Sequence, residues 1–340
     1  MLDTFIYPLV KIVFVLTGVL IAVMYLVLLE RKVQAWVQVR LGPMRVGPQG
    51  LLQPIADVLK LFVKEGIVPV RADKWVYSAA PIIVLVPALI ALAVIPFGTD
   101  VHLFGRTIPL YIADINVGLL YIVSVASIGI YGIILGGWSS NSKYPLLGGL
   151  RSSAQLISYE VSVTMTFVTV ILMSGSLSMV SIVNAQYKAH VWFGFAQPLA
   201  LAIYFIAALA ETNRAPFDLP EAEQELVAGF HTEYSGMRFA LFFLAEYANM
   251  IVVSSVATTL FFGGWLRPFP NVAALNFLDI VPSWAWFCLK TFGLLYLFMW
   301  IRATFPRYRY DQLMRLGWKV LLPLAIANII VTAAVKVIIG

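Results

Sequence analysis

ETNRAPFDLPEAEQELVAGFHTE, residues 211–233, is the segment from which the rest of the chain can be read. An apolar run, Leu199–Ala210, leads into it and another starts at Phe239, so it joins two stretches that read as membrane spans. It holds six of the 17 acidic residues, Glu211, Asp218, Glu221, Glu223, Glu225 and Glu233, against one basic residue, Arg214. Carboxylates this close titrate as a coupled set, some of them held toward neutrality by their neighbours. A solvated acidic loop is the plain reading; a proton-exchanging site is the sharper one.

Composition fixes the solvent. The 340 residues are 61% hydrophobic and 12% charged, with a mean hydropathy of +0.89, far from the soluble norm of about a quarter charged. The reading is an all-α, polytopic membrane protein, residues 1–340 forming one integral membrane domain. Eight spans are expected, at about 5–29, 76–97, 112–137, 153–174, 194–211, 238–262, 284–303 and 319–339. The first has no basic leader and is followed by Glu30-Arg31-Lys32, so it is expected to be retained as a helix. Connections 1–2, 3–4, 5–6 and 7–8 hold 8, 2, 2 and 5 Lys/Arg, whereas the others hold only Arg106, Lys188 and Arg267. The positive-inside tendency then puts the acidic connection, 212–237, inside and both termini outside. No basic face with interleaved aromatics suggests nucleic acid.

Connection 1–2 is more than a tether. LGPMRVGPQG (41–50) is Gly/Pro punctuation. Beyond it, over about 51–65, Leu51, Ile55, Val58, Leu59 and Phe62 recur at helical spacing with Asp57, Lys60 and Lys64 opposite. A helix this short lies in the interface, either as a surface anchor or as the wall of an opening for a lipid-soluble substrate. Connection 3–4, GGWSSNSKYPLLGGLRSSAQ, reads as a second shaped inner loop.

Carboxylates within spans are costly, about 3 kcal/mol each on insertion scales, and mark function more often than not. Glu160 is expected about nine residues into span 4, roughly 13 Å from its inner end. Glu246 sits comparably deep in span 6, Glu211 ends span 5 and Glu30 ends span 1. All four belong to the inner half of the bilayer, where protons could reach mid-membrane without an acidic exit. Each could instead be a structural pair with Arg or Lys, Glu30 with the adjacent Arg31. Lys11, Lys290 and Lys336, on the outer side, are candidates for snorkelling. The last inner connection sets Arg302, Arg307, Arg309, Arg315 and Lys319 beside Tyr308, Tyr310 and Asp311, as headgroup contacts or as a docking face.

Other chemistries lack their parts. The lone Cys288 cannot form an intramolecular disulfide or ligate an iron–sulfur cluster. His102, His190 and His231 are far apart, which does not suit haem or a di-metal site. Neither GxGxxG nor GxxxxGK[ST] occurs in a suitable context. No metal site and no self-sufficient catalytic group is expected.

Four blocks in order carry a resemblance: LLERKVQAWVQVRLGPMRVGPQGLLQPIADVLKLFVKE (28–65), GGWSSNSKYPLLGGLRSSAQLISYEVS (136–162), ETNRAPFDLPEAEQELVAGFHTEYSGMRFALFFLAEY (211–247) and WIRATFPRYRYDQLMRLGWKVLLPL (300–324). The chain resembles, over nearly its full length, the quinone-site membrane subunits of respiratory complex I, the proton-pumping NADH:quinone oxidoreductase. The resemblance implies an all-helical subunit at the junction of the two arms, in a bacterial plasma membrane or a mitochondrial inner membrane. It implies quinone as substrate, iron–sulfur clusters and FMN in partner subunits, and as partners the hydrophilic-arm subunit with the terminal cluster, neighbouring membrane-arm subunits and membrane lipids. Glu30, Arg31, Arg40, Asp57, Arg214, Arg302 and Arg307 would line or shape the quinone tunnel. Glu160, Glu211, Asp218, Glu221, Glu223, Glu225 and Glu246 would form the acidic relay to proton translocation. The rival within the resemblance is the equivalent subunit of a membrane-bound hydrogenase-type complex. Rivals from other classes are a stand-alone proton-coupled transporter, for which no internal repeat is visible, and a scaffold anchoring a peripheral enzyme.

Overall fold

The structure, a computed structural model, describes residues 6–103, 106–218, 228–270 and 272–339. It is 75% helical with almost no strand. Among the described residues, seven helices are long and apolar enough to cross a membrane. The chain is therefore an all-α, polytopic integral membrane protein.

Helix α1 (Tyr7–Val37) begins with a proline in its first turn, where the missing N–H costs nothing. At 31 residues it is about 46 Å long, so it extends beyond an apolar core of about 30 Å. Helix α2 (Gln53–Val63) is the amphipathic segment; Leu51, Ile55, Val58, Leu59 and Phe62 are exposed along one side. Helix α3 (Lys74–Ala91) is capped by Asp73, whose carboxylate accepts from the Trp75 and Val76 amides. After α3 a short hairpin pairs β1 (Val101–Leu103) with β2 (Arg106–Ile108). Helix α4 (Gly118–Ser139) packs tightly on α3. At Gly132 a Cβ would meet the Ala80 carbonyl at 3.0 Å and the Val84 amide at 2.9 Å, so only glycine admits this approach.

Helix α5 (Lys143–Ser174) starts ten residues before the span expected at 153. The glycines that read as a loop lie inside the helix. A Cβ on Gly148 would sit 2.7 Å from the Gly229 Cα, and one on Gly149 3.2 Å from the Ile133 carbonyl. They are there for close backbone approach, not for a turn. The early start also places Glu160 at the middle of the helix rather than about nine residues from its start. The helix ends on Gly175, whose φ of 72° is the left-handed cap that glycine adopts without strain.

Next follow α6 (Met179–Ala189) and the single turn α7 (Phe193–Ala196). Helix α8 (Pro198–Glu211) is only 14 residues, about 21 Å, and falls short of the bilayer core. The chain beyond it stays inside the protein: Thr212, Asn213, Arg214, Ala215, Phe217 and Asp218 are all buried. Non-helical backbone is tolerated there because its carbonyls find partners. Gln155 of α5 donates to the carbonyls of Ala210 and Phe217, each at 2.9 Å, and Asn213 donates to Ser152 at 3.1 Å.

Helix α9 (Gly236–Phe261) is central. Every residue from Met250 to Phe261 is buried, as in a helix surrounded by others. Helix α10 (Ser283–Thr304) follows. Helix α11 (Tyr310–Leu316) runs through a π-helical turn at Gly317–Leu321 into α12 (Leu322–Ile339). The connection between α10 and α11 is thus only 305–309, because Tyr310 to Lys319, expected within the last connection, are helical.

Candidate functional site

Two adjoining clusters occupy the interior. The first forms where α1, α9, α10 and the buried strand of chain after α8 meet. Glu30, 3% exposed, is its centre. Arg214 Nη1 donates to both Glu30 oxygens, at 2.8 and 2.7 Å. Tyr247 donates its hydroxyl at 2.6 Å, Gln34 its amide at 3.3 Å, and Arg302 closes the set. The Arg214 guanidinium lies 4.2 Å above the Tyr247 ring. Its Nε stands 2.6 Å from Glu246 Oε1, an ion pair rather than an aligned hydrogen bond. Burial works to lower the Arg214 pKa, but Glu246, Tyr247 and Glu30 outweigh it and raise it well above its ordinary value. Arg214 is a fixed cation shared by two carboxylates. Arg307 extends the cluster to Asp218 at 3.1 Å.

The second is a cavity of about 210 Å³ walled by α3, α4, α5, α8 and α9. Its lining is mostly apolar, with Glu160, Glu211, Glu246, His231, Asn249 and Tyr204 among the polar exceptions. Three carboxylates from three different helices thus share one enclosed space, and Glu246 belongs to both clusters. Glu160 also meets the Ser127 hydroxyl of α4. Burial pushes the His231 pKa down to about 4, so its imidazole is neutral at physiological pH.

The remaining candidates lie apart. Arg31 pairs with Asp57 of α2 at 2.6 Å, tying the amphipathic helix to the C-terminal part of α1; Glu30 has Arg214 and Arg302 instead of Arg31. Arg40 is exposed and hydrogen-bonds Gln38 at 2.7 Å. Glu221, Glu223 and Glu225 fall outside the described residues. Lys290 donates to the carbonyls of Phe262, Gly264 and Leu266 (2.7, 3.0 and 2.5 Å) and lies over the Trp192 ring at 4.5 Å. Lys336 donates to the Leu172 carbonyl near the end of α5. Lys290, half-buried, holds the end of α9, where a cation complements the C-terminal dipole, whereas Lys336 is exposed.

Sequence reasoning had no route to Tyr247, Gln155, Ser127 or Asn249. Their partners lie far away in the chain, 217 positions in the case of Tyr247 and Glu30, and none is a charged residue in an apolar run.

Fold and site together define an integral membrane protein with internal ion pairs and a carboxylate-lined cavity. Residues 10–333 match the family described as NADH dehydrogenase. A NADH-quinone oxidoreductase H subunit of Geobacter sulfurreducens is 57% identical, the match covering 96% of this chain and 93% of that protein. The corresponding H subunit of Rhodospirillum centenum is 54% identical over 96% and 93%, and that of Ehrlichia chaffeensis 52% over 96% and 89%. The chain belongs to the NADH dehydrogenase family, as an oxidoreductase subunit embedded in the membrane.

Proposed function

We propose that this chain is the membrane subunit of a proton-translocating NADH:quinone oxidoreductase that forms the quinone's access passage and the first acidic steps of the proton path. One observation carries the reading: Glu246 is simultaneously ion-paired to the Glu30–Arg214 cluster and part of the cavity that holds Glu160 and Glu211. A charge that appears on the Glu30 side is therefore felt at a group that faces the other two acids. Glu30, Arg31, Arg40, Asp57, Arg214, Arg302 and Arg307 belong to the passage and its mouth. Glu160, Glu211, Asp218, Glu246 and the acids at 221, 223 and 225 belong to the relay.

Reduction of a quinone to a quinol consumes two electrons and two protons. Electrons arrive from an iron–sulfur cluster in a docked subunit, itself fed through FMN, and the quinone is the substrate. The demand for protons next to the cluster disturbs the Arg214 bridge, and the three acids of the cavity redistribute protons in response. The basic inner loops support an orientation with the acidic connection on the cytoplasmic or matrix side and both termini opposite.

The test is Glu160→Gln and Glu211→Gln, each in the assembled complex. Quinone-linked NADH oxidation and proton pumping fall in both, while NADH oxidation by an acceptor that bypasses the quinone is kept. Wild-type rates from both variants overturn the relay and leave a scaffold. Migration of the solubilised chain on its own, outside any large assembly, points to a transporter.

A further inference from the structure

Counting protons separates the buried acids into two kinds. Glu30 accepts from Arg214, Arg302, Tyr247 and Gln34, all of them donors. A proton placed on it would displace one of these bonds, so Glu30 is a fixed anion. Glu160 is different. Its carboxyl meets the Ser127 hydroxyl, and the same hydroxyl oxygen lies 3.0 Å from the Val123 carbonyl one turn earlier in α4.

A serine hydroxyl has one proton and a carbonyl can only accept. Two arrangements satisfy the geometry. With the Ser127 proton on the Val123 carbonyl, the contact with Glu160 is a bond only when Glu160 is protonated and donates to Oγ. With Glu160 ionised, the Ser127 proton turns to the carboxylate, and the Val123 carbonyl keeps its ordinary helical bond. As Glu160 gains or loses its proton, rotation about the Ser127 Cβ–Oγ bond alone reorients the hydroxyl from one arrangement to the other.

We infer that Ser127 is a positioning residue for Glu160, a two-way hydroxyl that hydrogen-bonds the carboxyl in both protonation states. Glu160 can then take up and release a proton without either state leaving a buried polar group unsatisfied. The inference rests on the relay reading above and assigns that relay a group it lacked. The lining supports the assignment. Across the cavity Glu160 faces the titratable groups Glu211 and Tyr204 of α8, His231 and Glu246, whereas α3 and α4 contribute only apolar side chains and glycine. Ser127, set behind Glu160 on α4, is the uncharged donor that stays with it whatever the other acids do.

The experiment uses the purified, assembled complex carrying Ser127→Ala, Ser127→Thr or Glu160→Gln. Alanine is the best helix former, so the first substitution leaves α4 intact. Infrared difference spectra between the oxidised and the quinone-reduced complex are recorded beside turnover, and the carboxyl band that disappears in Glu160→Gln is assigned to Glu160. Ser127→Ala shifts that band and slows quinone-linked turnover about tenfold, the worth of one hydrogen bond to an ionised group; Ser127→Thr, which keeps a hydroxyl, restores both. A Glu160 band that does not move in Ser127→Ala, or the absence of any such band, overturns the inference. Failure of the relay reading is recognised separately, by wild-type turnover in Glu160→Gln itself.

Discussion

Replacing Arg214 by Met tests the shared cation directly. Met fills much of the same volume without charge, so the packing term is small. The electrostatic term is large, because removing one member of a buried pair leaves the other uncompensated, at about 3–5 kcal/mol. The structure says where that cost falls. Glu30 keeps Arg302, Tyr247 and Gln34, so its charge stays neutralised. Glu246 has no other ion pair among the described residues. The penalty is thus concentrated on Glu246, and Arg214→Met with Glu246→Gln recovers about 2 kcal/mol of it through their coupling. The assay is the half-life of the assembled complex at a fixed elevated temperature, in which about 3 kcal/mol corresponds to on the order of 100-fold. The double variant outlives Arg214→Met alone. Strictly multiplicative effects of the two substitutions, or an unaltered half-life for Arg214→Met, would falsify the bridge.

Further outcomes follow from the same geometry. Tyr247→Phe keeps the ring beneath Arg214 and removes one hydrogen bond to an ionised Glu30, so it lowers thermal stability by about 1.5–3 kcal/mol, against a larger loss for Tyr247→Leu. Gln155→Leu frees the Ala210 and Phe217 carbonyls and accelerates amide exchange over 212–218, measured by mass spectrometry, with little change in α5 itself. Gly148→Val drives a side chain into the Gly229 backbone and abolishes assembly, scored on native gels. His231 is held neutral by burial, its pKa depressed from 6.5 to about 4. The unfolded chain binds the extra proton between these values, so this group's stabilisation is complete above about pH 6.5 and is lost as pH falls toward 4. His231→Asn flattens the stability profile in that window.

Much of the fold was legible because a bilayer leaves few options: apolar runs of span length must be helices, and carboxylates such as Glu160 and Glu246 stand out within them. Legibility ended where tertiary contact overrides local composition. Gly148 and Gly149 carry a turn signal, yet serve as the flat surface against which Gly229 and α4 pack. The arginine-rich stretch after α10 reads as a loop, and Tyr310 onward is helical. For the site, residue type pointed to the acids but not to their partners. Nothing local says that Glu30 answers to Arg214 rather than to the neighbouring Arg31, since the choice depends on where the buried segment after α8 meets α1. The hydroxyl and amide groups that complete the network, those of Tyr247, Gln155 and Ser127, are ordinary residues of membrane helices until their partners are known.

The lysine on α10 that grips three carbonyls beyond Phe261 has a mechanical consequence. With its C-terminal end clamped and its last twelve residues buried, α9 is a rod anchored at one end. A push delivered at Glu246, the eleventh of its 26 residues, can swing the Gly236 end but meets the clamp before it can slide the rod along its axis. Movement that accompanies a change of charge there is expected to be a pivot, largest toward Gly236 and smallest at the clamped end beyond Phe261.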